Sequence, residues 1–438
     1  MAGRRHLVLL ALLIIVGSVA AGLPKDLLSG LSAPVLPGGL AVVSNPSDFR
    51  STDTVQTPTS GFETVRPEGT GGARVAGPPP PVPIRRRLND EGTALVRLGW
   101  HRVETGDYAE ALRAFEAADR AQPGEGDILL GIGVTHYLRG DGRRAEAPLL
   151  RALDADANHT VAHKLLGEIA YRDDDLDSAA ARFETVLRLD PTDVNVRERL
   201  DRVRREALAQ AGFQALQGRH FTVKFAGREN PVFAQDVLGR LETAYQDVGR
   251  RLDRFPERKV TVLLYTEQEL RAITDAPAWA QGMFDGKIRL PVVGAAMPAE
   301  SLNKVIRHEY THALVHVWTR GHVPTWLTEG LAIAFEGSDL QREWDLLRQA
   351  GHLLPLHELH GSFLSLPPSQ RSLAYAESFA AVQYLLSRYG VRPVRILLTD
   401  LGGAKDFDRT FQGAIGLPYS DFQEAFIRSF IDPRGRDG

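Results

Sequence analysis

One interval organises the first half of this 438-residue chain. Gly99, Gly133 and Gly167 stand 34 residues apart, and so do Ala111, Ala145 and Ala179. Phe115, Leu149 and Phe183 keep the same interval, as do Ala118, Ala152 and Val186. A turn signal recurs at Gly106-Asp107, Gly140-Asp141 and Asp174-Asp175, and Pro123 and Pro191 bracket Ala157 at the same spacing. Each unit reads as helix, tight turn, helix. Small residues sit where two helices approach closely, and large apolar ones fill the layer between units. Such units cannot bury their faces singly. The pattern therefore predicts an all-α solenoid over 89–191, with residues 192–211 as a capping helix.

The pattern resembles the tetratricopeptide (TPR) repeat, in three copies. A concave groove that binds a peptide or protein partner is one reading of the array; a stabilising platform is the other. Groove positions Arg102, His136 and Ala170 are mixed, with no charge cluster, so both readings stay open.

From His220 the periodicity changes. His220–Phe225 and Lys259–Tyr265 alternate like strands, whereas Val232–Arg251 is amphipathic and helical. Asp285-Gly286 predicts a two-residue hairpin turn. That leaves Lys287–Leu290 as a strand ended by Pro291, a placement suited to a sheet edge beside a cleft. The remainder reads as mostly helical, apart from loops at 351–372 and 401–404. The fold class is multidomain: an α-solenoid followed by an α+β domain with a small sheet.

A long helix predicted over 298–320 carries RHEYTHALVHVW. His308 and His312 are four residues apart, so they project from one helical face and can share one metal ion. Glu309 lies about 100° further round the helix, where a general base for hydrolysis belongs. A turn at Gly321–Pro324 precedes a second helix that begins WLTEGLA. Its Glu329 falls 17 residues past His312, close enough for the chain to bring a carboxylate back to the metal. Two histidines and a glutamate, with a fourth position open, make a catalytic zinc donor set.

Composition narrows the alternatives. With no cysteine, a disulfide framework, a thiol nucleophile, a cysteine-ligated zinc and an iron–sulfur cluster are excluded. A net charge of −3, with 43% hydrophobic and 24% charged residues, is ordinary globular composition and points to no nucleic-acid partner.

HEYTH followed by WLTEGLA resembles the gluzincin metallopeptidases, and most of all the peptidase MA-like domains that accompany TPR repeats. HFTVKF, WAQGMFDGKIRLP and AYAESFAAVQYLLSRYG fit the same layout over 219–432. The resemblance implies a zincin-like fold with an HExxH active-site helix. It also implies Zn2+ held by His308, His312 and Glu329, with Glu309 as the catalytic acid/base. A metzincin would place its third histidine at 318, which is Trp318. Thermolysin-like enzymes carry a supporting Asp four residues after the ligand Glu. Ile333 stands there, and Glu336 is the substitute able to orient a ligand imidazole. Tyr375 is the candidate oxyanion donor, a packed core tyrosine being its bland alternative, with His322 and Arg289 next in line. His316 reads as a half-buried polar contact.

At the N-terminus, Arg4 and Arg5 precede an apolar run from Leu7 to Leu23. This is read as an export signal ending at residue 21, with an uncleaved membrane anchor as the competing reading. Residues 22–88 read as a Pro/Gly-rich disordered linker, 89–211 as the array, 212–432 as the metallopeptidase domain and 433–438 as a tail. The expectation is an exported or envelope zinc peptidase, secreted or membrane-tethered, that cleaves proteins or peptides, with a repeat groove for substrate or partner. The alternative is a TPR scaffold protein whose metallopeptidase fold is inactive.

Overall fold

The structure, a computed structural model, describes residues 89–227, 231–274, 283–291, 298–337, 341–403 and 406–431. The export segment, the linker, the tail and residues 279–282 of the WAQGMFDGKIRLP segment lie outside the described residues. Among those described, no helix is long and apolar enough to cross a membrane.

The 34-residue period is built as three helix pairs: α1 (Asp90–Glu104) with α2 (Tyr108–Ala121), α3 (Gly126–Leu138) with α4 (Gly142–Ala155), and α5 (Thr160–Arg172) with α6 (Leu176–Leu189). A Cβ added at Gly99 would fall 2.7 Å from the Phe115 ring, one at Gly133 2.7 Å from Leu149, and one at Gly167 2.7 Å from Phe183. The repeating glycines are thus the space that the repeating large residues occupy. Each such residue, fully buried, contributes about 1.5–3 kcal/mol. In the turns, Asp107, Asp141 and Asp175 cap α2, α4 and α6 by accepting the N–H groups of Glu110, Arg144 and Ser178. The residue before each cap is left-handed: Gly106 at φ 75°, Gly140 at 73° and Asp174 at 63°. α7 (Val194–Gln210) closes the array.

The second half begins with β1 (Phe213–Gln217), β2 (Phe221–Ala226), α8 (Pro231–Leu252), β3 (Val260–Tyr265) and α9 (Glu267–Thr274). β4 (Met283–Phe284) and β5 (Ile288–Pro291) follow, then α10 (Ala299–Thr319), α11 (Thr325–Phe335), α12 (Gln341–Ala350), α13 (Pro368–Tyr389), α14 (Val391–Leu401), α15 (Phe407–Ile415) and α16 (Tyr419–Ile431). The sheet runs in the order β1-β2-β3-β5-β4, parallel from β2 through β3 to β5 and antiparallel at both ends. Two expectations fail here. The strand at Lys287–Leu290 is not an edge: β5 lies between β3 and β4, and β4 is the edge. The hairpin turn holds three residues, because Phe284 pairs with Ile288. β1 was also not expected, since FQALQ has no regular alternation and its burial follows none.

One apolar core joins the sheet, α8 and the helices from α10 onward. α10 ends at left-handed Arg320 and Gly321. α11 packs against α13 so closely that a Cβ at Gly330 would meet the Ser378 carbonyl at 2.2 Å. That contact explains the glycine in WLTEGLA.

The array is fastened to this domain by buried charge. Glu206 of α7 accepts from Tyr171 (2.6 Å), Lys287 (3.0 Å) and Arg289 (2.8 and 3.0 Å), and all four side chains are buried. Lys287 also binds Asp174 at 2.6 Å, Lys224 pairs with the same carboxylate, and Arg289 pairs with Asp285. Three carboxylates therefore face three cations. Burial alone would raise the Glu206 pKa, but Arg289 and Lys287 outweigh it and hold it at about 2. Beside this network, Arg202 and Arg205 donate to the carbonyls of Ile273 and Ala272 at the end of α9, both at 2.9 Å. Arg289, a reserve candidate for the oxyanion role, is committed to this joint instead.

Candidate metal centre

α10 and α11 place three donor groups together. The Nε2 atoms of His308 and His312 each lie 3.5 Å from Glu329 Oε2. The three residues each offer a ligand atom, all within 4.8 Å of one another, and each residue is 1% exposed. At 3.5 Å these are poor hydrogen bonds. His308 Nε2, His312 Nε2 and Glu329 Oε2 have no hydrogen-bond partner although they are buried. Converging buried donors left unsatisfied by the protein fit a metal ion, and two imidazoles with a carboxylate suit zinc.

The outer nitrogens are held. His308 Nδ1 is 2.6 Å from Glu336 Oε1, and His312 Nδ1 is 2.9 Å from Thr328 Oγ1. Such partners fix the ring orientation and the tautomer, leaving Nε2 for the metal. Glu336 occupies the place that Ile333 cannot fill. Thr328 was missed in the sequence. Its signal was a polar residue inside an otherwise apolar helix start, directly before the ligand Glu329.

Charge at the site follows from burial and these pairings. Burial disfavours the His308 imidazolium, but the facing carboxylates of Glu329 and Glu336 prevail and push its pKa up to about 10. His312 is lowered, by burial first. Glu329 stays low against its burial because both histidines face it. Glu309 is fully buried, neither of its oxygens has a hydrogen-bond partner, and burial pushes its carboxyl up to about 8. It neighbours the donor set without belonging to it.

Residues 234–431 match the Peptidase MA superfamily. Residues 102–169 match the tetratricopeptide repeat. The Peptidase MA region thus contains the whole donor set, and the repeat match spans the turns at Gly106 and Gly140. Among solved structures, the first TPR of Spaghetti (RPAP3) bound to HSP90 peptide SRMEEVD is 21% identical at a TM-score of 0.27, covering 29% of this chain and 98% of that chain. The NMR structure of the first TPR domain of human RPAP3 is 21% identical at a TM-score of 0.26, covering 27% of this chain and 93% of that one. No curated protein matches the chain.

Tyr375 sits on α13 of the Peptidase MA region, 7% exposed, with its ring edge-on to Phe363 at 5.0 Å. Burial, then the charges of Glu329 and Glu309, keep its phenol protonated. His316 is half-buried against Phe284 at 5.3 Å, one turn beyond His312. His322 lies 3.2 Å from the Thr319 carbonyl, and its ring is 6.3 Å from Tyr108 of the array. It belongs to the turn rather than to the donor set.

Removing either imidazole leaves only two ligands. His308→Ala and His312→Ala are each expected to lose stoichiometric zinc, read by metal analysis after dialysis. Retention of one zinc per chain in both variants would refute this donor set.

Proposed function

We propose that this protein is a zinc-dependent peptidase of the gluzincin type, acting on exported or envelope proteins. The observation that carries the reading is the convergence of three buried, unpartnered donor atoms beside a fourth buried group, the Glu309 carboxylate, that is not one of them. Zinc bound there would supply Lewis acidity, polarising the scissile carbonyl and easing deprotonation of water.

The protein's own groups supply the rest. Glu309 takes the proton of the attacking water and returns it to the leaving amine. Glu336 and Thr328 hold the two imidazoles so that Nε2 of each faces inward. β4, the edge strand among the described residues, is where an extended substrate would add to the sheet. The N-terminal apolar run supports export or tethering, and the TPR array supports a role in holding a partner or substrate. The test is whether purified protein binds one zinc per chain and cleaves peptides in a chelator-sensitive manner. A TPR scaffold with an inactive metal fold would bind partners while cleaving nothing.

Tyr375 is proposed as the oxyanion donor because it lies on α13, which packs against α11 of the donor set, and its phenol stays protonated. A phenol aimed at developing negative charge acts in the transition state more than in the ground state. Tyr375→Phe should therefore lower kcat by about 10²–10³ with zinc content and Tm near wild type. Unchanged turnover would return Tyr375 to a packing role.

A further inference from the structure

We propose that the turn of the second repeat is a strut of the metal centre: Gly140, pressed against the turn that joins the two donor-bearing helices, is a positioning residue for the zinc donor set. The inference rests on the zinc reading of His308, His312 and Glu329, and adds the array to what holds them.

The three repeat turns are alike in backbone and unlike in what they touch. A Cβ at left-handed Gly106 would meet nothing within 4 Å. Asp174, at the same place in the third repeat, enters the charged joint. At Gly140, with φ 73°, a Cβ would fall 2.4 Å from Arg320 Cβ, 2.5 Å from the Arg320 carbonyl oxygen and 3.0 Å from Arg320 Cα. Two of those atoms are backbone and cannot swing aside as a flexible side chain does. Beside this contact, the ring of Tyr108 at the start of α2 lies 6.3 Å from that of His322.

Arg320 and His322 belong to residues 320–324, the whole link between α10 and α11. α10 supplies His308 and His312, and α11 supplies Glu329. The link is tight: the Gly321 N–H donates to the His316 carbonyl at 3.0 Å, and the His322 N–H to that of Thr319 at 2.9 Å. His312 lies about 12 Å along the helix axis from Arg320, and Glu329 is in the second turn of α11. The conformation of the link therefore sets the angle between the helices, and with it how the two Nε2 atoms meet Glu329. Two further contacts limit how the strut can give. A Cβ at Gly402, just after α14, would stand 2.6 Å from the Trp318 carbonyl oxygen, so the end of α10 is also held there. The array in turn is tied to the sheet through Glu206, Lys287 and Arg289. Metal sites tolerate about 0.2 Å in donor distance. A displacement too small to unfold either half is thus large for the donor set.

The test uses the full-length chain and two metal probes: zinc, titrated against a chromophoric chelator, and cobalt(II), whose visible absorption reports coordination geometry. Gly140→Ala and Gly106→Ala carry the same left-handed backbone cost in equivalent turns. The difference between them isolates the contact with Arg320. Gly140→Ala is expected to weaken zinc binding by about 10–100-fold and to alter the cobalt spectrum, whereas Gly106→Ala keeps wild-type values of both. Arg320→Gly, which suits the backbone at φ 54°, removes the nearest atom and should recover part of the loss in Gly140→Ala. Tyr108→Ala leaves the backbone unstrained and should weaken zinc binding in the same direction; it decides the matter if Gly140→Ala does not fold. A folded Gly140→Ala that matches Gly106→Ala in zinc affinity and cobalt spectrum overturns the proposal. So does wild-type zinc affinity in Tyr108→Ala where that variant stands in. A wild-type chain that binds neither metal is a different result, and refutes the donor set itself.

Discussion

Replacing Glu309 by glutamine is expected to lower peptide hydrolysis by about 10²–10⁴ while zinc content stays at the wild-type level. The amide keeps the shape of the side chain in a site where Glu309 is fully buried, so packing changes little. What it loses is the ability to accept a proton. The metal donors are unaffected because the set is His308, His312 and Glu329. Single-turnover cleavage and metal analysis on the same preparation check both halves. Wild-type turnover in Glu309→Gln would refute the acid/base assignment. Loss of zinc would show instead that Glu309 belongs to the donor set.

The second large effect concerns the joint between the halves. Glu206→Ala leaves Arg289 and Lys287 buried, with Asp285 and Asp174 as their respective remaining acids. Breaking a buried pair in this way costs about 3–5 kcal/mol, read as a lower midpoint in chemical denaturation. The pH dependence has a definite sign. Glu206 is held at about 2 in the folded protein, below its ordinary value of 4.5. Its contribution is therefore complete above about pH 4.5 and disappears as pH falls through about 2. The wild-type minus Glu206→Ala difference should shrink across that window. A change under about 1 kcal/mol would place the joint among ordinary surface pairs. By the same logic, deleting 89–211 removes Asp174, Tyr171 and Glu206 together, so the remaining domain is expected to lose stability rather than to persist as an independent peptidase.

That joint also bears on the two readings of the array. The third TPR turn and α7 are bonded into the sheet of the second domain, as a platform requires.

The sequence alone determined the helical array, because a 34-residue period repeats its own packing rule in every unit. Gly99 matches Phe115, Gly133 matches Leu149 and Gly167 matches Phe183. It also determined the histidine pair and Glu309, because four residues on one helix face is a local geometry. The non-local parts were decided by the tertiary structure. Asp174 stands where the other two turns have glycine, and the sequence shows the departure but not its cause. Only the fold brings Lys224 and Lys287 to its carboxylate from 50 and 113 residues away. The two-residue turn and the edge placement of Lys287–Leu290 failed for a related reason. Strand order is set by pairing partners distant in the chain, and the polar side chains of Lys287 and Arg289 face buried carboxylates, not solvent. Thr328 showed in the sequence only as a polar residue before Glu329, because its role depends on where His312 points, and that direction exists only once α10 and α11 are packed together.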